Sequence, residues 1–307
     1  LLKVNPINKQ STIGIVSPAS CDDELFINKK ICEFEELEFK VKKGKHIYDI
    51  YGYLAGNDKN RAEDLTAMFL DDEVDAIVCF RGGYGAIRMI PYLDLKAIKK
   101  HPKPFCGYSD ITLLLNYLNK KCNIPTFHGP MINSNFKDNI TNKYFFDSLS
   151  NNNKFSYNLR EICGENYTIH NKRDFRGRLI GGNLSIICSS IGTPYEIDCR
   201  NSILFIEEVD ESPYSVDRLL SQLISSGKLK YCNGIILGYF TDCSSNNPRS
   251  FKVEEIFNEL LSPLNIPIIY GFPAGHAYPN ITFPIGSKFK FSSNNDTLSI
   301  CENIFKY

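Results

Sequence analysis

Three polar residues far apart in the chain have the types needed for nucleophilic acyl transfer: Ser109, Glu207 and His276. Ser109 lies in KPFCGYSDITLLLNYL, residues 103–118, where an apolar run ends in Gly107-Tyr108-Ser109-Asp110 and a helical pattern begins at once. A serine at such a turn is lifted clear of the backbone and aimed at the helix N-terminus. The free N–H groups and dipole there favour developing negative charge. This is the logic of a nucleophile elbow, although Ile111 stands where G-x-S-x-G has its second glycine. On this window alone a helix N-cap accounts for Ser109 better than a nucleophile does. Only a base, an acid and an oxyanion hole elsewhere in the chain reverse that balance.

Candidates for each exist. Arg81-Gly82-Gly83-Tyr84-Gly85 closes the apolar strand DAIVCF. Three glycines in four positions let a substrate approach the backbone and let N–H groups point inward, and a tight turn accounts for them about as well. Glu207 ends the run ILFIE and Glu208 follows it. A carboxylate leaving a buried strand needs a partner, either a cation such as Arg218 or a catalytic histidine that it orients. His276 sits in the Gly/Pro loop YGFPAGHAYPN. Alone it reads as a loop histidine; with Ser109 and Glu207 it completes a Ser–Glu–His set, whose order along the chain is immaterial.

The elements that must hold these residues are legible in outline. Strand and helix patterns alternate through the first half: a strand in 11–20, a helix over 24–37, a strand start at 39, a helix over 58–72 capped by Asp58, a strand over 75–80, and the strand and helix around Ser109. That alternation predicts a doubly wound, mostly parallel sheet, with its functional loops at the carboxyl ends of strands, at 17–20, 81–85 and 107–110. From about 133 to 175 the chain turns polar and Asn-rich, which places the domain boundary there. The expected division is a first domain over 1–150, a linker over 151–175 and a second, mixed and β-rich domain over 176–307.

Composition narrows the function. The 307 residues carry 35 Lys+Arg and 35 Asp+Glu, so the net charge is zero, which argues against a nucleic-acid or membrane-surface partner. No apolar run reaches the ~20 residues of a membrane span, and LLKVNPINKQ has no leader pattern. The 11 cysteines include no C-x-x-C, and Cys79, Cys106 and Cys188 lie inside apolar runs. They read as small core residues in a reducing cytoplasm. The five histidines form no H-x-x-x-H pair, so neither a metal nor another cofactor is expected.

Many ordered segments together resemble the LD-carboxypeptidase family of serine peptidases. They are IGIVSPAS at 13–20, GYLAGNDKNRAEDL at 52–65, AIVCFRGGYGAIRMIPYLD at 76–94, GYSDIT at 107–112, HGPM at 128–131, GRLIGGNLSII at 177–187, GTPY at 192–195, LFIEEVDESPYSVDRLLSQL at 204–223 and YGFPAGH at 270–276. The resemblance implies a flavodoxin-like N-terminal domain, a swivelling C-terminal domain and an active site between them. It implies Ser109 as nucleophile, Glu207 and His276 as its acid and base, and the N–H groups of Gly83 and Asp110 as the oxyanion hole. Arg81 and Tyr84 become candidate substrate contacts. Arg81, Arg88 and Arg218 could each hold a substrate carboxylate, and each could equally be a structural ion pair. The implied substrate is a muropeptide, cut at an L-to-D bond to release D-alanine, and the implied assembly is a homodimer. Family members of the microcin C immunity type instead cleave aminoacyl nucleotides; the lack of any Trp to stack a base weakens that alternative. A non-catalytic binding module is the rival of another class.

Overall fold

The computed structural model describes residues 1–150 and 155–306. The chain divides into two compact units. One holds Leu1–Asn153, Ile281–Gly286 and Asn303–Tyr307; the other holds Lys154–Asn280 and Ser287–Glu302.

The first unit is built on a six-stranded sheet. From edge to edge its strands are Phe283–Ile285, Thr126–His128, Phe105–Gly107, Ala76–Cys79, Thr12–Val16 and Lys40–Lys43. All pairings are parallel except that of Phe283–Ile285 with Thr126–His128. Numbered along the chain, the five parallel strands run 2-1-3-4-5, the flavodoxin-like order. Its switch point lies between Thr12–Val16 and Ala76–Cys79. The carboxyl ends of these two strands lead into Ser17–Ser20 and the glycine loop. The central strands read as continuous apolar runs because both faces are covered, and Ile13, Ile15, Ile77, Val78 and Phe105 are all fully buried. The helix Asp58–Leu70 forms as expected, but Asn57 caps it, accepting from the N–H of Asn60. Asp58 instead pairs with Arg61 and Arg88.

The second unit holds an eight-stranded mixed sheet. Its order is Ser156–Asn158, Thr297–Ile300, Lys288–Ser292, Phe175–Asn183, Ser202–Val209, Cys232–Thr241, Ile268–Tyr270 and Thr168–His170. The four strands from Phe175–Asn183 to Ile268–Tyr270 are parallel, and the antiparallel strands flank them. Side chains alternate along Ser202–Val209. Leu204 and Ile206 enter a core with Leu184, Ile187, Leu220, Leu223, Ile256 and Phe257 from three helices. Phe205 packs against Phe272 instead.

Two boundaries differ from the sequence expectation. Within the expected linker, residues 151–154 lie outside the described residues. The rest is not a linker: Ser156–Asn158 and Thr168–His170 are strands, and Leu159–Cys163 is a helix. The asparagines misled because Asn favours helix N-caps as much as loops. Asn158 accepts from the N–H groups of Arg160 and Glu161, and Asp138 caps Asn139–Leu149 in the same way. The second correction is at the other end. Residues 281–286 return to the first unit, where Phe283 pairs with His128, a contact no local pattern encodes.

Leu220 is fully buried in the helix Pro213–Ser225. Leu220→Ala should cost about 2–5 kcal/mol, read as a lowered denaturation midpoint.

Candidate active site

The strand Phe105–Gly107 ends in an extended Tyr108, and Ser109 then turns to φ 62°, the left-handed region. A non-glycine residue there costs about 1–2 kcal/mol. Ser109 is no helix cap; the residue at the cap position is Tyr108, and no side chain bonds there. Two glycines make room for the turn. A Cβ on Gly107 would stand 2.8 Å from Ile111 Cγ2, so the buried Ile111 folds back onto a bare backbone. A Cβ on Gly82 would stand 2.7 Å from Ser109 Cβ and 2.8 Å from its Oγ. The elbow therefore dispenses with its second glycine because the neighbouring loop supplies one.

That loop is stitched down by Ser20. Its Oγ accepts from Tyr84 N–H at 3.1 Å, and its N–H donates to the Gly82 carbonyl at 3.3 Å. Gly83 is exposed at φ 110°. Tyr84 is exposed, its ring 5.9 Å from that of Tyr53. Arg81 pairs with Asp22 at 2.6 Å and donates to the Cys21 carbonyl, so one guanidinium nitrogen is engaged within the protein. Arg88 is likewise paired with Asp58, while Arg218 stands over the Tyr214 ring.

Asp110 is buried, and its carboxylate accepts from Ala86 N–H at 2.8 Å. Burial pushes its pKa up to about 6, opposed by the Ala86 and Gly85 N–H groups and by Arg61. The role of Arg61 was missed in the sequence. It is buried and donates to the carbonyls of Pro18 at 2.5 Å and Gly85 at 2.8 Å. A signal was there: Arg61 stands four and seven residues before Leu65 and Met68, on the apolar stripe of its helix.

The second unit brings Glu207 and His276 together. His276 Nδ1 lies 2.6 Å from Glu207 Oε2, and the carboxylate is completely buried. An ionised carboxylate only accepts, so this bond requires the proton on Nδ1. Burial raises the Glu207 pKa, and the His276 hydrogen bond opposes the rise. Gly275, at φ 123°, permits the approach, since a Cβ there would meet Glu207 Oε2 at 2.8 Å. Its N–H is fixed by Asn280 Oδ1 at 3.1 Å.

Glu208 serves a different end. It is buried too, but strand alternation turns it to the helix-covered face of the sheet. There it accepts from Asn183 Nδ2 at 2.7 Å, from Ser185 N–H at 2.8 Å and Oγ at 2.7 Å, and from Val209 N–H at 2.9 Å. These donors, not Arg218, hold it. His128, in the HGPM segment, is a core residue stacked 5.1 Å from Phe283.

One unit carries a strained serine against a glycine loop, and the other carries a buried carboxylate bonded to a histidine. Family models match both units: the LD-carboxypeptidase N-terminal domain matches residues 13–129, and the LD-carboxypeptidase C-terminal domain matches residues 176–291. The chain belongs to the LD-carboxypeptidase family. It is 38% identical over 302 residues to a probable murein peptide carboxypeptidase of Bacillus subtilis, covering 97% of this chain and 94% of that protein. Among solved structures it is similar to a muramoyltetrapeptide carboxypeptidase from Oxalobacter formigenes, with a TM-score of 0.83, 27% identity and coverage of 95% of this chain and 99% of that one. It is also similar to the microcin C7 self-immunity protein MccF in complex with aspartyl sulfamoyl adenosine, with a TM-score of 0.91, 26% identity and full coverage of both chains.

Two substitutions separate site geometry from stability. Gly82→Ala should lower peptidase turnover about a hundredfold with a much smaller loss of stability, seen as a modestly lowered melting temperature, because the new methyl must displace Ser109. Glu208→Ala strands buried donors and should cost about 1–3 kcal/mol in a denaturant titration.

Proposed function

We propose that this chain is a serine carboxypeptidase that cleaves an L-to-D peptide bond and releases the terminal D-alanine of muramoyl tetrapeptide in cell-wall recycling. The observation that carries the reading is Ser109 in left-handed backbone against Gly82, since strain at a polar residue persists where function requires it. The substrate class comes from the relatives named as murein and muramoyltetrapeptide carboxypeptidases. Cytoplasmic residence and a homodimer follow from the family resemblance; light scattering tests the second.

In this mechanism His276 Nε2 takes the proton of Ser109 Oγ as the oxygen attacks the carbonyl of the L-residue. Glu207 holds the Nδ1 proton and stabilises the imidazolium that forms. The tetrahedral oxyanion accepts from the N–H groups of Gly83 and Asp110, each worth about 3 kcal/mol in the transition state. His276 then protonates the departing amine, D-alanine leaves, and water attacks the acyl-enzyme by the same route. Arg81 and Tyr84 border the peptide, with the Arg81 charge offset by Asp22.

Ser109→Ala should fold normally and reduce turnover to near background, and Glu207→Gln should lower kcat about 10⁴-fold by losing the correct tautomer. The chosen assay measures alanine release from two tetrapeptides that differ only at the terminal centre. Inverting that centre moves the carboxylate out of its contact, a loss of about 1.5–3 kcal/mol, so the D-epimer should be preferred at least about tenfold. Equal kcat/KM values would reject the L-to-D reading, and turnover of an aminoacyl nucleotide alone would favour the immunity type. EDTA should leave activity unchanged; a loss restored by a divalent ion would overturn the mechanism.

A further inference from the structure

The reaction as written uses the backbone of Asp110 and leaves its carboxylate idle. Yet this carboxylate is buried one residue after the nucleophile, where an acid without a function would be costly. Its partners show what it grips. Asp110 Oδ2 accepts from Ala86 N–H at 2.8 Å. From the helix Asp58–Leu70, Arg61 Nη1 donates to the Gly85 carbonyl at 2.8 Å and to the Pro18 carbonyl at 2.5 Å. The peptide group between Gly85 and Ala86 is thus held through its N–H by one charge and through its C=O by the opposite charge. Gly85 stands at φ 129°, and a Cβ there would meet Leu54 Cδ2 at 2.5 Å and Arg61 Nη1 at 2.9 Å. Gly82, at the other end of the same loop, is packed on Ser109.

We propose that the Asp110 carboxylate, backed by Arg61, is a positioning group that ties the nucleophile turn to the far end of the glycine loop and so fixes the Gly83 N–H where the oxyanion forms. The inference rests on the serine-peptidase reading above and adds a residue that acts through the backbone, not on the substrate.

The charge state of Asp110 governs the tie. A carboxylate only accepts and holds the Ala86 N–H, whereas a carboxylic acid turns one oxygen into a donor. The groups facing it are Arg61 from the helix Asp58–Leu70, the Cys79 thiol from the strand Ala76–Cys79, and the two loop peptides. Burial lifts the Asp110 pKa to about 6, so the tie is complete above that pH and is lost as the pH falls through it. Because the folded value lies above the ordinary carboxylate range, folding favours the protonated form at low pH. The loop therefore loosens on acidification while this residue's contribution to global stability rises.

The test is Asp110→Asn, which keeps the shape and the backbone N–H but can accept with only one atom. Its kcat should fall about tenfold to a hundredfold with KM within about twofold, and affinity for a tetrahedral phosphonate analogue of the tetrapeptide should fall by the same factor as kcat. Amide hydrogen exchange at Ala86 gives a readout that needs no turnover. In the wild-type chain its protection should drop as pH is lowered through about 6, and in the variant it should be low at every pH. Unchanged kcat and phosphonate affinity, or exchange that ignores both pH and the substitution, would overturn the proposal. If the variant does not fold, the wild-type exchange profile still decides. A wild-type chain that fails to cut tetrapeptide yet shows the exchange profile would sink the peptidase assignment and keep the tie.

Discussion

Ser109 sits in left-handed backbone, and much of the first unit is arranged to hold it there. The cost of about 1–2 kcal/mol is met by neighbours that have no other place to go. Ile111 is buried over the bare backbone of Gly107, Gly82 leaves room for the serine Cβ, and Asp110 is anchored by the Ala86 N–H of the adjacent loop. The strand beneath is pinned by parallel pairing on both sides, with Ala76–Cys79 and with Thr126–His128. Relaxing Ser109 would disturb each of these contacts at once, so the turn is over-determined.

Buried acids form the second theme. Asp110, Glu207 and Glu208 are each at most 3% exposed, and each would be intolerable without partners. Their partners differ in kind. Glu208 meets four neutral donors and stabilises the start of a helix. Glu207, one residue earlier, points the other way and meets an imidazole, whose charge can change during a reaction. Asp110 meets the backbone of a loop. One chemical group is thus given three functions by what surrounds it, and for the two neighbours strand alternation made the choice.

The chain path adds a coupling. The sheet that carries Ser109 is completed by Phe283–Ile285, which follows His276 by only a few residues and comes in sequence after the Lys154–Asn280 segment of the second unit. Phe283 stacks on His128, and Gly286 lies so close to Asn119 that a Cβ would overlap its amide. The unit that carries Ser109 is therefore not finished until nearly the whole chain is present, a long-range closure of the kind that slows folding.

The sequence by itself determined the alternation of strands and helices, the parallel first sheet, the apolar cysteines and the positions of Ser109, Glu207 and His276 at the ends of apolar runs. These features are local: hydrophobic period, glycine clusters and polar residues closing buried strands are written in consecutive residues. The tertiary structure decided what depends on residues far apart. It selected the turn over the cap for Ser109, because Gly82 lies against it across the sheet. It separated Glu207 from Glu208 and gave the latter Asn183 and Ser185 in place of Arg218. It turned the stretch after residue 155 from linker into edge strands, and sent 281–286 back to the first sheet. Arg61 lay between the two cases: its place on an apolar stripe was visible, but the carbonyls that justify burying its charge come from Pro18 and Gly85, 43 and 24 residues away. A buried charge is tolerated only where distant groups converge on it, and that convergence is a property of the fold.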